Sequence, residues 1–343
     1  MAGTRSAPGA TSLTVDGVAC GFVKAADGGD AFGEVVEEKV GPDFFVKKHL
    51  AGVKYDEIHV QVGLDLAHHF YDWIAASWKQ NYSRKDGSVV TTDASFNAVS
   101  ELDFFHAVVT EVAFPALDAA SKDPFRLDVK FAPEFTRKKK GTGKVAVSKQ
   151  QKEPLAASFR FELGGLPTTK VGRVEPFTVA ESFATDDIGD ARDYAKEPGK
   201  LDFPNLRVTL AAAGADPWLQ WADDFIVQGK NDAGSEKNGA IVILSPDLKT
   251  ELARVSLFGV GIFRLRRVQA KLVADLYCER MELQVGKPAA KPADPPAPAP
   301  APAPAPPATP LSRGPGATPV VPGVATPEPL PTPAITRTPR VPG

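Results

Sequence analysis

The chain has 343 residues, of which 40 are Lys or Arg and 42 are Asp or Glu, so its formal net charge is −2. This balance excludes a global basic field of the kind that drives binding to nucleic acid. The two cysteines, Cys20 and Cys278, are far apart in strand-like sequence, so we expect buried, reduced thiols. No long apolar run occurs, and residues 1–10 lack the apolar core of a secretion signal, which predicts cytoplasmic synthesis and no membrane span.

The N-terminal part of the chain predicts short strands joined by turns. Residues 13–22 contain two extended segments, and Asp16-Gly17 between them is a hairpin signal. Residues 25–33 are acidic and rich in Gly, which predicts a loop. Residues 44–54 predict a connection between strands, and its basic residues are Lys47, Lys48 and His49.

The stretch 54–90 is the most regular part of the sequence. Residues 58–66 alternate apolar and polar side chains, which predicts a strand with one buried face. The residues that follow carry apolar side chains at helical spacing, which predicts an amphipathic helix. Asp86-Gly87 is then a turn signal before a new strand. The expected core anchors of the helix are Phe70, Trp73 and Trp78.

A long strand is predicted around residues 104–114. Phe104, Val108 and Val112 share one face of it, and the opposite face is also largely apolar. A strand that is apolar on both faces needs a cover on each, so these three are candidate subunit-interface residues. The stretch 136–152 is rich in Lys and Gly and predicts a solvated linker, with a basic contact to an acidic neighbour as the alternative.

The second half of the chain repeats the pattern of the first. Residues 206–210 correspond to residues 58–62, and the aromatic pair Trp218 and Trp221 stands where the helix anchors of the first half stand. The constant order of these matches predicts a tandem duplication of a mainly β barrel or sandwich with one helix per copy. The predicted parts are a flexible N-terminus (1–11), a first β domain (12–135), a basic linker (136–157), a second β domain (158–286) and a disordered Pro/Ala-rich tail (287–343).

No cluster of side chains predicts catalysis or a bound cofactor. His68 and His69 are adjacent on a predicted helix, so they point in different directions, and no third metal ligand stands at a suitable spacing. Asp223 and Asp224 lack a partner for acid–base chemistry and are interpreted as a solvated helical face. We therefore expect no enzymatic activity, no metal and no cofactor.

Arg264-x-Arg266-Arg267 is a local basic cluster at the end of a predicted strand. A solvated strand end is the simplest interpretation of it. Contact with an acidic subunit face and contact with nucleic acid remain alternatives. Because the rest of the chain is balanced in charge, we expect no specific nucleic-acid partner.

Four segments of the first half stand in a distinctive order: GEVVEEKVG, YDEIHVQVGL, FYDWIAASW and YSRKDGSVV. This order resembles the tail tube proteins of contractile-tailed phages and their relatives in contractile injection systems and type VI secretion. The resemblance covers residues 12–135 well and residues 158–283 weakly. It implies a β barrel or sandwich with one helix, assembled into rings whose inner strands form a tube. Carried over by position, residues 25–33 and 44–54 would make stacking or lateral contacts, and the candidate interface residues in them are Phe44, Lys47, Lys48 and His49.

The resemblance implies a structural protein of a phage-tail-like particle. Its expected partners are copies of itself and other tube, baseplate or sheath proteins, with assembly in the cytoplasm and release by lysis. The duplication and the Pro-rich tail leave open a place in the tube body, or as a hub, initiator or end piece. Three chains would form a pseudo-sixfold ring, and six chains would form a two-layer ring. The alternative function is a non-enzymatic binding module whose tail recruits a partner.

Overall fold

A computed structural model describes residues 9–39, 46–146, 153–186 and 195–286. The described chain is mainly β, with one α-helix in each half, which confirms the predicted fold class. Phe44, the first residues of the N-terminus and the Pro-rich tail lie outside the described residues, so the predictions made for them stay predictions.

The first half consists of short strands and one helix. In chain order these are β1 (Thr11–Val15), β2 (Val18–Val23), β3 (Ala25–Gly28), β4 (Ala31–Lys39), β5 (Val46–Tyr55), β6 (Ile58–Val62), α1 (His68–Trp78), β7 (Lys85–Thr92), β8 (Ala98–Phe114), β9 (Leu117–Asp118), β10 (Leu127–Ala132) and β11 (Phe135–Lys140).

The second half has a similar order of elements, with longer strands at its end. It contains β12 (Phe159–Leu163), β13 (Val171–Val174), β14 (Phe177–Asp186), β15 (Ala195–Asp202), β16 (Leu206–Ala211), α2 (Asp216–Ala222), a π-helical turn (Asp223–Val227), β17 (Lys237–Leu244), β18 (Glu251–Val268) and β19 (Lys271–Val285).

The two halves follow the same path through their sheets. In the first half the strands lie in the order β1-β7-β8-β10-β6-β3, and in the second half they lie in the order β12-β17-β18-β19-β16-β13. Every neighbouring pair in both paths is antiparallel. In each half a hairpin joins the last strand of this path to the strand beside it. The β4–β5 hairpin joins β3 to β6, and the β14–β15 hairpin joins β13 to β16. A tandem duplication predicts this shared path.

Helix α1 buries its aromatic face between the two halves. Its sequence has no Gly or Pro, and the side chains of Phe70, Trp73 and Trp78 are all at most 3% exposed. The helix packs across β19 of the second half, and His68 lies 3.1 Å from the carbonyl of Val285. One hydrophobic core therefore runs through both predicted β domains, which form a single compact unit.

Helix α2 anchors the second half on β18. Trp218 is fully buried, and its indole N–H donates to the carbonyl of Pro167 at 3.0 Å. Trp221 packs edge-on against it with ring centroids 6.0 Å apart. Burying aromatic side chains of this size stabilises the fold by about 1.5–3 kcal/mol each. Neither helix of the described residues is long and apolar enough to cross a membrane.

Three segments expected to be irregular are strands. The Gly-rich residues 25–33 supply β3 and the start of β4, because β3 pairs with β6 and β4 pairs with β5. The expected connection at 44–54 is β5 from Val46 onward. The predicted linker begins with β11, which pairs with β8 and buries Thr136. Backbone pairing thus overrides the turn and linker signals of small and basic residues.

The two Asp-Gly signals have different outcomes. Asp16 and Gly17 have φ angles of 48° and 75°, which confirms the predicted hairpin turn. The turn predicted at Asp86-Gly87 is wrong, because both residues lie inside β7. Gly87 is needed there for close packing, since a Cβ atom would lie 2.2 Å from the carbonyl oxygen of Thr14.

The candidate interface residues of β8 are buried within the chain itself. Phe104 and Val112 are fully buried and belong to the common hydrophobic core. Val108 is also buried, with 3% exposure, but it does not belong to that core. The three side chains do not all point to the same face of β8. His106 has a φ of 51°, and the pairing register between β8 and β10 shifts further along the strand, so the regular alternation of side chains between the two faces is interrupted. Because the three residues are buried in the single chain, they contribute to the fold, and a role in subunit contacts stays a prediction.

Candidate assembly surfaces

The outward face of the first-half sheet is polar and carries both signs of charge. His59 and Gln61 on β6 each lie 3.2 Å from a carboxylate oxygen of Asp128 on β10. Lys130 pairs with Glu111 of β8 at 3.1 Å on the same face. A sheet face with such short-range pairs stays hydrated and offers neither an apolar patch nor a field of one sign.

The same face continues in the second half. Arg207 donates to Asp275 at 2.6 Å, and Arg266 reaches the other oxygen of that carboxylate at 3.6 Å. Arg173 donates to Asp118 at 2.7 Å. A backbone N–H in the next turn and the Arg173 guanidinium together hold the pKa of Asp118 below its usual value. Each half therefore carries paired charges on this face, and in the second half Asp275 itself is only 4% exposed.

The two halves are joined edge to edge by one antiparallel ladder. β8 pairs with β14, β9 pairs with β13, and both pairings share one register. The first-half strands, in the order β3-β6-β10-β8, are therefore followed across this junction by the second-half strands, in the order β13-β16-β19-β18. Pro115 and Pro176 stand opposite each other where the ladder is interrupted, because proline has no N–H to donate. The paired residues are Glu111↔Ala180, Val112↔Val179, Ala113↔Thr178, Phe114↔Phe177, Leu117↔Val174 and Asp118↔Arg173.

The β14–β15 hairpin is docked on the first half. Phe177 stacks on Phe114 with ring centroids 4.6 Å apart and an interplanar angle of 7°. Ser77 of α1 donates to a carboxylate oxygen of Glu181 at 2.8 Å, and Glu181 is 8% exposed. Burial raises the pKa of this carboxyl, and the hydrogen bond from Ser77 opposes that rise only in part. Stacking and a buried polar contact thus hold the hairpin in place.

The β4–β5 hairpin occupies the equivalent place in the first half, but it forms a separate two-stranded sheet. Val35 and Leu50 face each other across it and are 55% and 68% exposed. Phe32 at its base is 46% exposed. These apolar side chains are in water in the single chain, whereas Phe177 and Val179 of the docked hairpin are buried.

The basic candidates of β5 lie on this exposed hairpin. Lys48 pairs with Glu37 at 2.6 Å, and His49 lies 3.9 Å from Glu38. Lys47 stands opposite Glu38 in the strand register and is exposed. Pairs between exposed groups contribute only about 0–1 kcal/mol each. The fold does not depend on these residues, and their role in subunit contacts stays a prediction.

Several strand edges have no strand partner among the described residues, and those of β3 and β18 are two of them. β3 pairs with β6 on one side only and ends the sheet. On β18, the pairing with β17 stops at Val260, so the rest of the strand has only β19 beside it. Open edges present N–H and C=O groups that can pair with another strand. The exposed side chains of the β18 edge are Phe263, Arg264, Arg267 and Val268.

A groove of about 370 Å³ opens beside the free edge of β3. Lys138 and Lys139 lie at its rim. In the second half, the site beside the matching strand β13 is occupied by Leu117, which pairs with Val174 and is fully buried. The apolar residues that line the groove are Ala26, Ile58, Val89 and Leu102.

Within the part of the chain that the structure describes, no group of His, Cys, Asp or Glu side chains is arranged to hold a metal ion. Cys20 and Cys278 are free and buried, and burial raises the pKa of each thiol to about 11. Such thiols carry little thiolate near neutral pH. Asp224, one of the two helical acidic residues, pairs with Lys230 at 2.7 Å.

Comparison with known proteins gives one family and several solved structures. No curated protein matches the chain. The chain is similar to one in an extracellular contractile injection system, the PVC sheath-tube complex in the extended state, with 17% identity over 38% of this chain and 88% of that chain and a TM-score of 0.34. A chain of the anti-feeding prophage cap gives the same values. Hcp1 from Flavobacterium johnsoniae has 20% identity over 40% of this chain and 99% of its own, with a TM-score of 0.28.

The family match lies in the first half of the chain. It falls within the predicted first β domain and includes all four segments of the sequence resemblance, which lie at residues 33–41, 55–64, 70–78 and 82–90. Residues 16–126 match the model of the T4-like virus tail tube protein gp19 family, which confirms over this range the resemblance to phage tail tube proteins.

Proposed function

We propose that this chain is a structural component of a phage-tail-like particle, with its two β repeats side by side in a ring. The ring would belong to the inner tube or to a hub, initiator or end piece next to it. The family match of residues 16–126 supports this function for the first repeat. The observation that carries it for the whole chain is the ladder between β8/β9 and β13/β14, which makes one continuous sheet from the two repeats.

The ladder favours three chains per ring over six. A two-layer ring of six chains would place the two repeats of one chain in different layers. Here the repeats are lateral neighbours in the same sheet, as adjacent units of a single ring would be. Three chains then supply the six repeats of a pseudo-sixfold ring.

The proposed role needs no catalysis. The polar faces of the two repeats, with pairs such as His59–Asp128 and Arg207–Asp275, would line the channel. A hydrated lining of paired charges would hold neither an apolar nor a strongly charged cargo tightly. The Pro-rich tail at 287–343 would lie outside the ring contacts.

The test is the solution mass of the purified full-length chain, measured together with negative-stain imaging. The proposal predicts rings with a central hole and a mass of about 109 kDa, three times the 36.4 kDa chain. A mass twice as large would indicate the two-layer ring. A chain that stays monomeric up to about 100 µM would contradict the proposal, because assembly follows mass action.

Deletion of residues 287–343 separates this function from the binding-module alternative. A ring subunit without its tail should assemble as the full chain does, since the internal ladder and all the described strands lie before residue 287. A binding module should lose its partner and show no ring in either form. The matched control is the full-length chain at the same concentration.

A further inference from the structure

We infer that the outer part of the β14–β15 hairpin is a pH-dependent arm, which is closed on the first half of the chain while the carboxyl group of Glu181 is protonated and opens as this group loses its proton. The arm consists of residues 181–186 and 195–202. The inference goes beyond the proposed function, because it concerns a single chain and does not depend on a ring. It rests on the position of Glu181, on the contacts that hold the arm and on a hinge at its base.

The arm begins where the ladder between the two halves ends. β14 pairs with β8 from Phe177 to Ala180, and the next residue, Glu181, stands opposite Leu201 of β15. Beyond Ala180, no strand of the first half pairs with β14 or β15 in the part of the chain that the structure describes. Backbone pairing therefore fixes the base of the hairpin, whereas the arm depends on contacts that side chains make.

Glu181 stands at a position that favours an apolar residue. Side chains alternate along a strand, so Glu181 takes the same face of β14 as Phe177 and Val179, which are buried in the common core. The side chain of Glu181 is buried as well. A carboxylate at such a position loses its hydration, and this loss costs free energy unless hydrogen bonds replace the water.

The hydrogen bonds of the folded chain satisfy only one oxygen of this carboxyl group. Oε2 accepts from the Ser77 hydroxyl at 2.8 Å, whereas Oε1 is buried and has no hydrogen-bond partner among the described residues. The Tyr82 hydroxyl lies beside the same carboxyl, and burial together with this neighbour raises the pKa of Tyr82 to about 12. Both hydroxyls are therefore neutral near pH 7, and these surroundings suit a protonated Glu181 better than a carboxylate.

The charged groups on the neighbouring strands do not compensate a charge on Glu181. On β8, Glu111 lies on the polar face of the sheet, where it pairs with Lys130. On β15, burial lowers the pKa of the Lys196 ammonium group, and two carboxylates of the first half oppose this effect. Burial raises the pKa of Glu181, and only the hydroxyls of Ser77 and Tyr82 lower it within the described chain. The two carboxylates that act on Lys196 are Glu57 and Glu134.

Arg84 holds the part of the arm that lies further from the ladder. Its guanidinium donates to the carbonyl of Lys196 at 2.9 Å and to the carboxylate of Glu197 at 2.8 Å. It also donates to Glu134 of the first half at 3.1 Å. Arg84 and Glu197 are exposed, so water replaces these contacts at little cost when the arm opens. The buried contact of Glu181 is therefore the one that makes closing depend on pH.

A β-bulge at the base of the arm supplies the hinge. The pairing of β14 with β15 shifts register directly after Glu181. The hydroxyl of Ser182 accepts from the N–H of Lys200 at 2.8 Å and lies 3.2 Å from the carbonyl of the same residue. Bulges disrupt the ladder and bend the strand. Glu181 thus stands between the last ladder pair, at Ala180, and the bulge, where the hairpin can tilt while its own two strands stay paired.

The direction of the pH effect follows from the position of the proton. The carboxyl of the closed arm holds its proton more tightly than the exposed carboxyl of an open arm, whose pKa is about 4.3. Closing is therefore favoured fully below that value, and this advantage is lost as pH rises through the higher pKa of the closed arm. Opening uncovers Ser77 at the end of α1 and brings the β14–β15 hairpin into solvent, where the β4–β5 hairpin already is.

The test is the distance between two nitroxide labels on the full-length chain, measured by double electron–electron resonance. Asp72→Cys on α1 and Ala184→Cys on the arm place the labels at exposed positions. The native thiols are buried, with pKa values of about 11, so they stay unlabelled. This labelled parent should show a closed distance and a longer open one, and the ratio of open to closed should rise by about threefold or more between about pH 4.5 and about pH 8.

The decisive variant of the labelled parent is Glu181→Gln, because its amide is neutral at every pH. Its ratio of open to closed should not change with pH and should equal that of the parent in acid. Glu111→Gln is the matched control, since it changes a carboxyl beside the same end of the ladder but on the polar face, and it should keep the pH dependence of the parent. Ser77→Ala removes a donor to the carboxylate and should make the rise with pH steeper.

The outcomes separate this inference from the proposed function. A pH-dependent ratio that disappears in Glu181→Gln and remains in Glu111→Gln would establish the arm. A single distance at every pH, or a pH dependence that persists in Glu181→Gln, would overturn it. The solution mass of the same samples tests the ring independently, because an arm that never opens leaves assembly unchanged. Circular dichroism verifies that each variant is folded, and Glu181→Met replaces Glu181→Gln if the amide prevents folding.

Discussion

The β14–β15 and β4–β5 hairpins occupy the same place in the two repeats and have different surroundings. β14 lies against β8 and buries Phe177 and Val179, whereas β4 leaves Phe32 and Val35 in water. The second repeat finds its partner strand in the same chain, because the first repeat precedes it. The β4–β5 hairpin forms a sheet of its own, with no third strand beside it in the part of the chain that the structure describes. The difference teaches that two hairpins at the same place in similar halves are buried or exposed according to whether another strand lies beside them.

The largest expected effect distinguishes the two hairpins directly. Phe177→Ala removes a ring that is 5% exposed and stacked on Phe114, so we expect a loss of about 3–5 kcal/mol in the free energy of unfolding. Phe32→Ala should cost less than about 1 kcal/mol in the single chain and should weaken assembly instead. Urea unfolding and solution mass give the two readouts. Equal losses of stability in both variants would contradict the comparison.

The next effect tests whether the repeats also match in their packing. A Cβ atom added to Gly87 of β7 or to Gly239 of β17 would lie 2.2 Å from a carbonyl oxygen of the neighbouring strand. Replacing either residue with Ala should therefore destabilise the protein by about 1–3 kcal/mol. Gly172→Ala is the control, because no atom lies within 4 Å of its would-be Cβ, and it should change stability little. Thermal unfolding of the three variants tests this match, and a stable Gly87→Ala protein would contradict it.

A smaller effect concerns the carboxyl under the docked hairpin. Burial raises the pKa of Glu181 in the folded protein, so the folded state keeps this proton at a pH where the unfolded chain has lost it. Its contribution to stability is present below the unfolded pKa of about 4.3 and is lost as pH rises toward the folded pKa. Glu181→Gln should therefore gain stability relative to wild type as pH increases from acid to neutral.

The control for that experiment is Glu197→Gln on β15, whose side chain is 59% exposed. Chemical unfolding of wild type and both variants across this pH range gives the difference in stability for each pair. A difference between Glu181→Gln and wild type that does not change with pH would show that this carboxyl is not held protonated by its surroundings.

The smallest expected effect is on the hairpin charges. Lys48→Ala removes a pair with Glu37 in which both side chains are more than half exposed, so the melting temperature of the single chain should barely change. If β5 takes part in subunit contacts, the same variant should shift the concentration for assembly. A large loss of stability in the single chain would contradict the description of this hairpin as an independent exposed unit.

Local patterns in the sequence predicted the elements whose cause is local. The helical spacing of Phe70, Trp73 and Trp78 predicted α1, and Asp16-Gly17 predicted the first hairpin. The apolar character of both faces of β8 also predicted correctly that each face has a cover. The pairing of β8 with β14 along its edge was not predictable, because the two strands are distant in sequence.

The misinterpreted segments depended on backbone pairing rather than on side-chain pattern. The Asp-Gly pair at residues 86–87 predicts a turn, but the close approach of Gly87 to Thr14 also requires a residue without a side chain. The Gly-rich residues 25–33 predict a loop, but their backbone pairs with β6 and β5. Pro115 and Pro176 lie opposite each other at the break in the internal ladder. Their facing positions can be recognised only when the pairing register is known, so the sequence alone does not predict the break.

The central claim is that the two similar halves of the chain lie side by side in one layer of a ring. A cryo-EM map of the assembled ring, at a resolution that traces individual strands, tests it most directly. The account predicts six repeats from three chains, all in one layer. A ring in which the repeats of one chain lie in different layers would contradict it.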